Sequence, residues 1–502
     1  MKKLLPVFVL SFLVLACDSN LFFNNKNSAI IKWDVPDVLQ DNSKEGDSQQ
    51  FWAQNLMTKR YYQLTAKLLY KGQYCNIWVE QANGISVVTK ERAKMMADAY
   101  DNKIYNQLKK VFSYDFQHTN GKTYDTMQIA DFMGDQDGKL CILLLDIQDG
   151  YTNGGGYVSG YFSQINFYDN FYASNKRDMI FVDTYPGNPG TEESNRITAH
   201  EMQHLMNFVT SYMFETMGIR RSPMDLWINE GLSSAAEWVA TGSHSNGRIA
   251  WYNSDPYKTI AKGNNFFVWD NYKSIDSDTV MDDYATVYLF FQWLRLQAGL
   301  QAGLETDGTE IFNSIINSKH HDYRAVTEAA RIHINSDFGN WDVLLKTWMA
   351  ANYINALDGL YGYRNEKEFN SIKIHYAPSA SKNILLFPGE GVYSFTANTF
   401  NIPINSGNVR YLGLNADLNA GFPSFTQTNG VIPQGKTLLT FNANTSAGGD
   451  AQSGIVTGYQ PSFPQAIISV SNSVQSVLPE SYAISAGELR SKPASREPAK
   501  DN

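Results

Sequence analysis

The stretch Ile197-Thr198-Ala199-His200-Glu201-Met202-Gln203-His204-Leu205-Met206 is the most specific pattern in this sequence. Residues four apart in a helix lie on one face, one turn apart, so His200 and His204 can hold the same metal ion. Glu201 would project beside that ion, where its carboxylate can accept a proton from a metal-bound water. The 502 residues include only eight histidines, so a chance match is on the order of one in a hundred. The alternative is a helix whose histidines face water or a polar pocket. The pattern predicts a helix over 195–210 that carries a metal site.

The residues around this stretch support a helix but leave the third metal ligand open. Thr191 or Ser194 can cap the helix start. A catalytic zinc usually has three protein ligands and a water. One class of metallopeptidases places a glycine three residues and a histidine six residues after the second ligand histidine. Asn207 and Thr210 occupy those positions here, so that class is excluded. The third ligand is then expected to be a carboxylate on a following helix, and the candidates are Glu215, Glu230 and Glu237.

The segment Trp227-Ile228-Asn229-Glu230-Gly231-Leu232-Ser233 lies far enough after His204 for a second helix to turn back against the first. Together with the His-Glu-x-x-His pattern, it resembles the gluzincin metallopeptidases, in which the glutamate of an Asn-Glu pair is the third zinc ligand. The fuller pattern, over roughly residues 70–365, is similar to the hyicolysin family of bacterial neutral zinc metallopeptidases. The matching pieces are Gly160-Tyr161-Phe162, Ser174-Asn175 before the strand-like segment 179–183, residues 200–208 and residues 227–237.

This resemblance implies one zinc ion held by His200, His204 and Glu230, with Glu201 as the general base. Glu237 follows Glu230 by seven residues and lies on the same helix face. It would either orient a ligand imidazole from behind or be an ordinary surface charge.

Peptide hydrolysis also needs a hydrogen-bond donor for the oxyanion that forms as water attacks the carbonyl. The segment Asp283-Tyr284-Ala285-Thr286-Val287-Tyr288 resembles the helix start that carries a tyrosine in this role in several gluzincins. The resemblance makes Tyr284 the candidate and Tyr288 the fallback, against the alternative that both are core aromatic residues. Weaker alternative donors are His244, His320, His321 and His333.

These features predict an exported zinc-dependent endopeptidase that hydrolyses peptide bonds of proteins, with Glu201 deprotonating a zinc-activated water. Gluzincin aminopeptidases carry a Gly-x-Met-Glu-Asn segment that captures the free amine of the substrate, and this sequence lacks it. That difference favours cleavage within a chain. The alternative function is a lipid-anchored surface adhesin on a metallopeptidase scaffold. Protein or peptide substrates are the expected partners, and the chain is expected to be a monomer.

The first sixteen residues are typical of a bacterial export signal. Lys2 and Lys3 precede an apolar run over 4–15, which is shorter than the ~20 residues that span a bilayer. The run ends in Val14-Leu15-Ala16-Cys17, which resembles a lipobox, so a signal peptidase would cut before Cys17 and the cysteine would be acylated. The alternative is an ordinary secretory signal that contains a cysteine. The expected location is the bacterial cell envelope or surface, held by a lipid anchor.

The length predicts more than one folded unit, because single cores rarely grow beyond roughly 250–300 residues. The formal net charge of −9 argues against a nucleic-acid partner. The expected fold class is α+β, with a gluzincin-type catalytic domain (a mixed sheet and a mostly helical lower half) followed by an all-β sandwich-like module. The expected divisions are a signal peptide at 1–16, a polar tether at 17–59, the metallopeptidase domain at 60–365, the β module at 366–487 and a disordered tail at 488–502.

Hydrophobic periodicity predicts strands at 74–81, 139–147 and 178–183 and a helix over 89–111. Further helices are expected at 226–241, 283–298, 308–318, 324–332 and 340–355. With Cys17 acylated, Cys75 and Cys141 remain, both in strand-like segments. Either a disulfide between them or two buried free thiols fits those segments.

The run Asp135-Gln136-Asp137-Gly138 superficially resembles a calcium loop. With Gly138 at loop position six, Met133 and Leu144 occupy positions one and twelve, and neither has the required carboxylate. The run is therefore interpreted as a plain turn, and the sequence provides no support for calcium.

Overall fold

The computed structural model describes residues 34–151, 157–220, 222–263, 280–300, 306–377, 383–414, 430–446, 452–455 and 484–485. The predicted signal peptide, Cys17 and the tail at 488–502 lie outside these residues. In the part of the chain described, no helix combines the length and apolarity needed to cross a membrane.

A mixed sheet forms the first half of the structure. The strands of this half are β1 (Ser48–Asn55), β2 (Arg60–Lys71), β3 (Cys75–Ala82), β4 (Ile85–Ser86), β5 (Asp115–Gln117), β6 (Thr123–Asp125), β7 (Leu140–Leu145), β8 (Val158–Phe162) and β9 (Met179–Asp183). The large sheet has the order β1-β2-β3-β7-β9-β8, with β4 paired to β3, while β5 and β6 form a separate hairpin. Ile484–Ser485 adds a short parallel strand to β8.

The centre of the large sheet is parallel, because β3, β7 and β9 are parallel neighbours. β8 runs antiparallel to β9 at the other side. All six residues of β7 are buried, as expected for a strand covered on both faces. The observed β3, β7 and β9 match the predicted strands in position.

The predicted tether boundary at residue 59 is wrong, because the hairpin of β1 and β2 begins at Ser48. β1 pairs antiparallel with β2 along its whole length. Phe51 and Ala53 point into a core, while residues 48–50 are exposed. The polar start of this strand gives it the composition of a linker, although its later residues bury apolar side chains.

Ten helices account for most of the remaining described residues up to 354. They are α1 (Lys90–Ala99), α2 (Tyr105–Phe112), α3 (Thr126–Met133), α4 (Glu192–Thr216), α5 (Leu226–Thr241), α6 (Asn246–Ser254), α7 (Val280–Ala298), α8 (Glu310–Ile316), α9 (Tyr323–His333) and α10 (Trp341–Ile354). Short 3₁₀ helices are Gln164–Phe167, Ile260–Lys262, Ser336–Gly339 and Lys367–Ser371.

The helix predictions agree in position with the structure. A π turn at Tyr100–Ile104 joins α1 to α2, so the helix predicted over 89–111 is locally widened. α5 has the predicted bounds, α4 continues past 210 to Thr216, and α3 and α6 were not predicted.

The start of α4 is fixed by a reciprocal capping box. Ser194 N donates to Thr191 Oγ1 at 3.3 Å, and Thr191 N donates to Ser194 Oγ at 3.0 Å. Both side chains therefore satisfy backbone donors at the helix start. Glu192 and Glu193 occupy the first turn, where negative charge stabilises the helix dipole.

The sheet separates two groups of buried side chains, and the two cysteines lie on opposite sides of it. Cys75 packs in the core shared with the helices, and Cys141 packs in the core beneath β1 and β2. Cys75 is opposite Leu140 in the β3–β7 register, so Cys141 is one residue further along and faces the other way. Both thiols are buried and free, so the disulfide alternative is wrong.

After α10 the chain forms short strands. They are β10 (Asn383–Leu386), β11 (Gly391–Phe395), β12 (Phe400–Asn401), β13 (Val409–Leu414), β14 (Val431–Ile432), β15 (Thr437–Asn442), β16 (Gln452–Ile455) and β17 (Ile484–Ser485). Within the described residues, β11-β15-β13, β10-β16 and β12-β14 form small antiparallel sheets.

The C-terminal strands share a core with the helices. Tyr393 in β11 donates its hydroxyl to Met349 O in α10 at 2.7 Å. Tyr393, Leu439 and Phe441 belong to the same buried cluster as the helical half. The fold is mixed and consistent with the α+β class, and a sandwich arrangement of the C-terminal strands stays a prediction.

Gly231 lies where α5 packs on α7, and its lack of a Cβ allows that contact. A Cβ at this position would lie 2.3 Å from Cε2 of Phe291. We expect Gly231→Ala to lower the melting temperature, because overpacking of about 1–3 kcal/mol outweighs a helix-propensity gain of up to about 1 kcal/mol. Thermal unfolding of the two single variants and of the double variant with Phe291→Leu measures this coupling. A melting temperature for Gly231→Ala at or above that of the wild type would contradict the packing.

Candidate metal centre

Helices α4 and α5 bring two histidines and one glutamate together in the interior. His200 and His204 lie one turn apart on α4, with ring centroids 4.8 Å apart, and both are buried. Glu230 on α5 places Oε2 3.3 Å from His200 Nε2 and 3.5 Å from His204 Nε2. The ligand atoms of all three side chains lie within 4.8 Å of one another. The structure thus joins the three residues that the resemblance implies as ligands.

The spacing of these atoms fits a tetrahedral zinc ion. Ligands at about 2.0–2.2 Å from zinc, separated by a tetrahedral angle, lie roughly 3.3–3.6 Å from each other. The two distances from Glu230 Oε2 fall in that range. Two imidazole nitrogens and one carboxylate oxygen form a donor set that catalytic zinc sites use, with a fourth position left for water.

Glu230 is buried, yet its pKa is lowered by the two neighbouring histidines. Burial alone would raise its pKa, but the charges and hydrogen bonds of His204 and His200 hold the pKa of Glu230 well below its ordinary value. A lowered pKa favours the carboxylate, which is the form that binds a metal ion.

Glu237 and Arg248 support His200 from the side away from Glu230. His200 Nδ1 lies 2.9 Å from Glu237 Oε1, and Arg248 Nη2 donates to the same oxygen at 2.8 Å. Burial would raise the pKa of Glu237, but the charge of Arg248 and the hydrogen bond of His200 lower it to about 2. Glu237 is buried, so the surface-charge alternative is wrong. A carboxylate on the far nitrogen of a ligand histidine fixes the ring and directs Nε2 toward the metal.

His204 is also held at its Nδ1 atom, but by uncharged hydrogen-bond partners. His204 Nδ1 lies 3.1 Å from Asn229 Oδ1 and 3.0 Å from Ser233 Oγ. Asn207 Nδ2 donates to the same Asn229 oxygen, which keeps that oxygen directed at the ring. A proton on Nδ1 leaves the lone pair of Nε2 on the side of Glu230. Sequence reasoning missed these supports, although Asn229 is the residue before Glu230 and Ser233 lies one turn after Asn229.

Glu201 lies next to His200 in α4 and is fully buried. β8 approaches α4 closely here, since a Cβ on Gly160 would lie 3.2 Å from Glu201 Cγ and 2.7 Å from Ile197 Cγ2. Glycine at 160 is therefore needed for the strand to pack against the helix beside Glu201.

Tyr284 lies beside the cluster, and Tyr288 is engaged elsewhere. The Tyr284 ring centroid is 6.5 Å from that of His200, and Arg248 Cζ lies 4.8 Å from the Tyr284 ring. The Tyr288 hydroxyl lies 2.8 Å from His244 Nδ1. Of the two candidate donors, Tyr284 is thus the one whose ring lies near a ligand histidine, and its role stays a prediction.

The other candidates have different surroundings. Glu215 is exposed near the end of α4, so it is not a third ligand. The three remaining candidate histidines pair elsewhere, with His320 3.9 Å from Glu328, His321 3.4 Å from Asp225 and His333 2.7 Å from Ser314.

Comparison with known proteins points to the same chemistry. No family model matches the chain. Over 338 residues the chain is 29% identical to the neutral metalloprotease ShpI of Staphylococcus hyicus, and the match covers 66% of this chain and 68% of that protein. The chain is thus a distant homologue of a neutral metalloprotease, which supports a metallopeptidase family.

We expect Glu237→Gln to weaken zinc binding by about 10–100-fold, because the ring of His200 loses its charged partner. The measurement is competition with a chromogenic zinc chelator of known affinity. Glu215→Gln, which removes an exposed carboxylate from α4, is the matched control and should bind zinc like the wild type. Equal zinc affinities for Glu237→Gln and the wild type would show that Glu237 does not support the site.

Proposed function

We propose that this protein is an exported zinc-dependent endopeptidase of the hyicolysin type. The observation that carries the proposal is the buried cluster of His200, His204 and Glu230, with the buried Glu201 following His200 in α4. The similarity to the neutral metalloprotease of Staphylococcus hyicus supports the same class of reaction.

The residues of α4 and α5 would hold the metal. His200 Nε2, His204 Nε2 and a carboxylate oxygen of Glu230 are the three protein ligands. Zinc bound there supplies a Lewis acid that lowers the pKa of water and polarises a carbonyl. Arg248 through Glu237, and Asn229 with Ser233, hold the two imidazoles in the orientation that binding requires.

Glu201 moves the proton. Its carboxylate takes a proton from the attacking water and returns it to the amine nitrogen of the departing peptide. Because Glu201 is fully buried, its carboxylate has little competing hydration, which favours proton transfer within the site.

Tyr284 is proposed to stabilise the oxyanion with its hydroxyl. Its ring lies 6.5 Å from that of His200 and 4.8 Å from the Arg248 guanidinium carbon, and the side chain is fully buried. A donor fixed in this way needs little reorganisation as charge develops on the substrate oxygen.

The alternative is a lipid-anchored adhesin on a metallopeptidase scaffold. The endopeptidase proposal is favoured because the ligand residues and Glu201 are all present and the ligands meet at metal-binding distances. Cleavage within protein chains, export, acylation of Cys17 and a monomeric state remain proposals that rest on the sequence.

We expect Glu201→Gln to lower proteolysis of casein by 10²-fold or more, because an amide cannot accept the proton of water. Zinc content measured on the same preparation should stay near that of the wild type. Glu230→Ala is the contrasting variant and should lose zinc and proteolysis together. Proteolysis near the wild-type rate in Glu201→Gln would overturn the mechanism.

Tyr284→Phe is expected to lower kcat by roughly 10²–10³-fold with a smaller change in KM, because an oxyanion donor acts mainly in the transition state. Steady-state kinetics on a fluorogenic peptide measures both constants. Tyr288→Phe is the matched control, since its hydroxyl contacts His244, and it should keep most of its kcat. A large loss of kcat in Tyr288→Phe with none in Tyr284→Phe would reverse the assignment.

A further inference from the structure

A second cluster of possible metal ligands lies at the start of the parallel strands. Asp131 is in the last turns of α3, Asp135 follows in the next turn, and Asp178 immediately precedes β9. Each offers a carboxylate oxygen, and these oxygens lie within 4.8 Å of one another. Cys141 N in β7 donates to Asp178 O at 3.0 Å, which places the cluster beside the first residues of β7 and β9.

Asp131 and Asp178 are buried, Asp135 is partly buried, and each has one oxygen that no described donor reaches. Asp131 is 5% exposed and Asp178 is 4% exposed. Among the described residues, no hydrogen-bond donor reaches Asp131 Oδ2, Asp135 Oδ1 or Asp178 Oδ1. The other oxygen of Asp131 accepts from Gly138 N at 2.6 Å. Buried ionised groups are costly unless a counter-charge or donor meets them, so these three oxygens point to a cationic ligand.

One described cation, Arg177, pairs with the cluster, and two nearby lysines pair elsewhere. Arg177 Nε lies 3.6 Å from Asp135 Oδ2, which is the opposite oxygen from the unsatisfied one. Lys71 and Lys139 instead bind Asp41, at 2.7 and 3.3 Å.

The surroundings of these carboxyl groups therefore disfavour their charged form. Burial, with repulsion from neighbouring carboxylates added, raises the pKa of Asp131 and of Asp135 to about 6. The same causes raise the pKa of Asp178 well above its ordinary value.

The lack of a side chain at Gly134 allows Asp178 to lie close to the end of α3. A Cβ on Gly134 would lie 2.9 Å from Asp178 Oδ1 and 2.6 Å from Asp178 N. Gly134 therefore permits the carboxylate from β9 to meet the two carboxylates from α3 and its following turn.

We propose that Asp131, Asp135 and Asp178 bind one calcium ion at a site separate from the zinc centre. An all-oxygen donor set suits a hard cation, whereas zinc favours nitrogen and sulfur. Calcium lies about 2.3–2.6 Å from its ligands, so two oxygens bound to one ion are at most roughly 5.2 Å apart. The three carboxylate oxygens lie within 4.8 Å of one another and so are close enough to share one ion. Magnesium needs a near-ideal octahedron and retains several waters, which a buried cluster suits less well. The ion would tie α3 to the start of β9.

The sequence is interpreted as a plain turn at residues 135–138 because it does not fit a twelve-residue calcium loop, and the proposed site does not follow that loop pattern. The turn after α3 supplies Asp135, but the ligand that completes the cluster is Asp178, which lies just before the distant strand β9. The residues at loop positions one and twelve, Met133 and Leu144, take no part.

Calcium binding to the full zinc-loaded chain tests the proposal. Equilibrium dialysis with ⁴⁵Ca should find one more bound calcium in the wild type than in Asp178→Asn, and millimolar calcium should raise the melting temperature of the wild type by several degrees more than that of the variant. Asp183→Asn is the matched control at the far end of β9, where the carboxylate accepts from Ile147 N and Gly187 N. It should bind calcium like the wild type, and zinc content should be equal in all three proteins. If Asp178→Asn fails to fold, Asp135→Asn removes the most accessible ligand and should show the same loss.

Three results would overturn the proposal. The first is an equal calcium count in the wild type and in Asp178→Asn or Asp135→Asn, which would mean that the carboxyls are neutralised by protons. The second is an equal loss of calcium in Asp183→Asn. The third is a shift in melting temperature with magnesium as large as that with calcium, which would contradict the identity of the ion.

Discussion

The contact of one buried carboxylate with two imidazoles is the interaction on which the rest of the site depends. Glu230, His200 and His204 would each be costly to bury alone, and together they form a donor set that a zinc ion can satisfy. Their meeting requires α5 to lie against α4 in one register. Glu237 on α5 contacts His200, and Asn229 on α5 contacts His204, so the helix that supplies the third ligand also orients the first two.

Packing around α4 and α5 maintains the alignment of these two helices. Gly231 lets Phe291 of α7 pack directly against α5 behind the cluster, and Gly160 lets β8 pack against α4 at Glu201. Arg248 connects α6 to the cluster by donating to Glu237 and stacking over Tyr284. The second cluster, of three aspartates, differs in donor chemistry and position, since it uses oxygen alone and joins α3 to the start of β9. In our account the first cluster carries the reaction and the second stabilises the sheet beside it.

Most helices and the proposed site residues could be predicted from local sequence patterns. Contacts between residues far apart in the sequence could not. The bounds of α5 were predictable because an apolar pattern ends at Gly242, which adopts the left-handed conformation with a φ of 71°. The spacing of His200 and His204 fixes one helix face, so their proximity followed from helix geometry. β1 was missed because its polar first residues resemble a linker, and its pairing with β2 is what makes it a strand. The two sides on which Cys75 and Cys141 lie depend on strand register, and the meeting of Asp178 with Asp131 depends on how β9 packs against α3. Neither the placement of the two cysteines nor the meeting of the two aspartates can be predicted from the sequence of a single segment.

The most direct test of the central claim is the anomalous scattering of zinc-loaded crystals of the full chain, recorded on both sides of the zinc absorption edge. We expect a strong peak that appears only above the edge, about 2.0–2.2 Å from His200 Nε2, His204 Nε2 and an oxygen of Glu230. No peak among these atoms, or a zinc peak bound by other residues, would contradict the account.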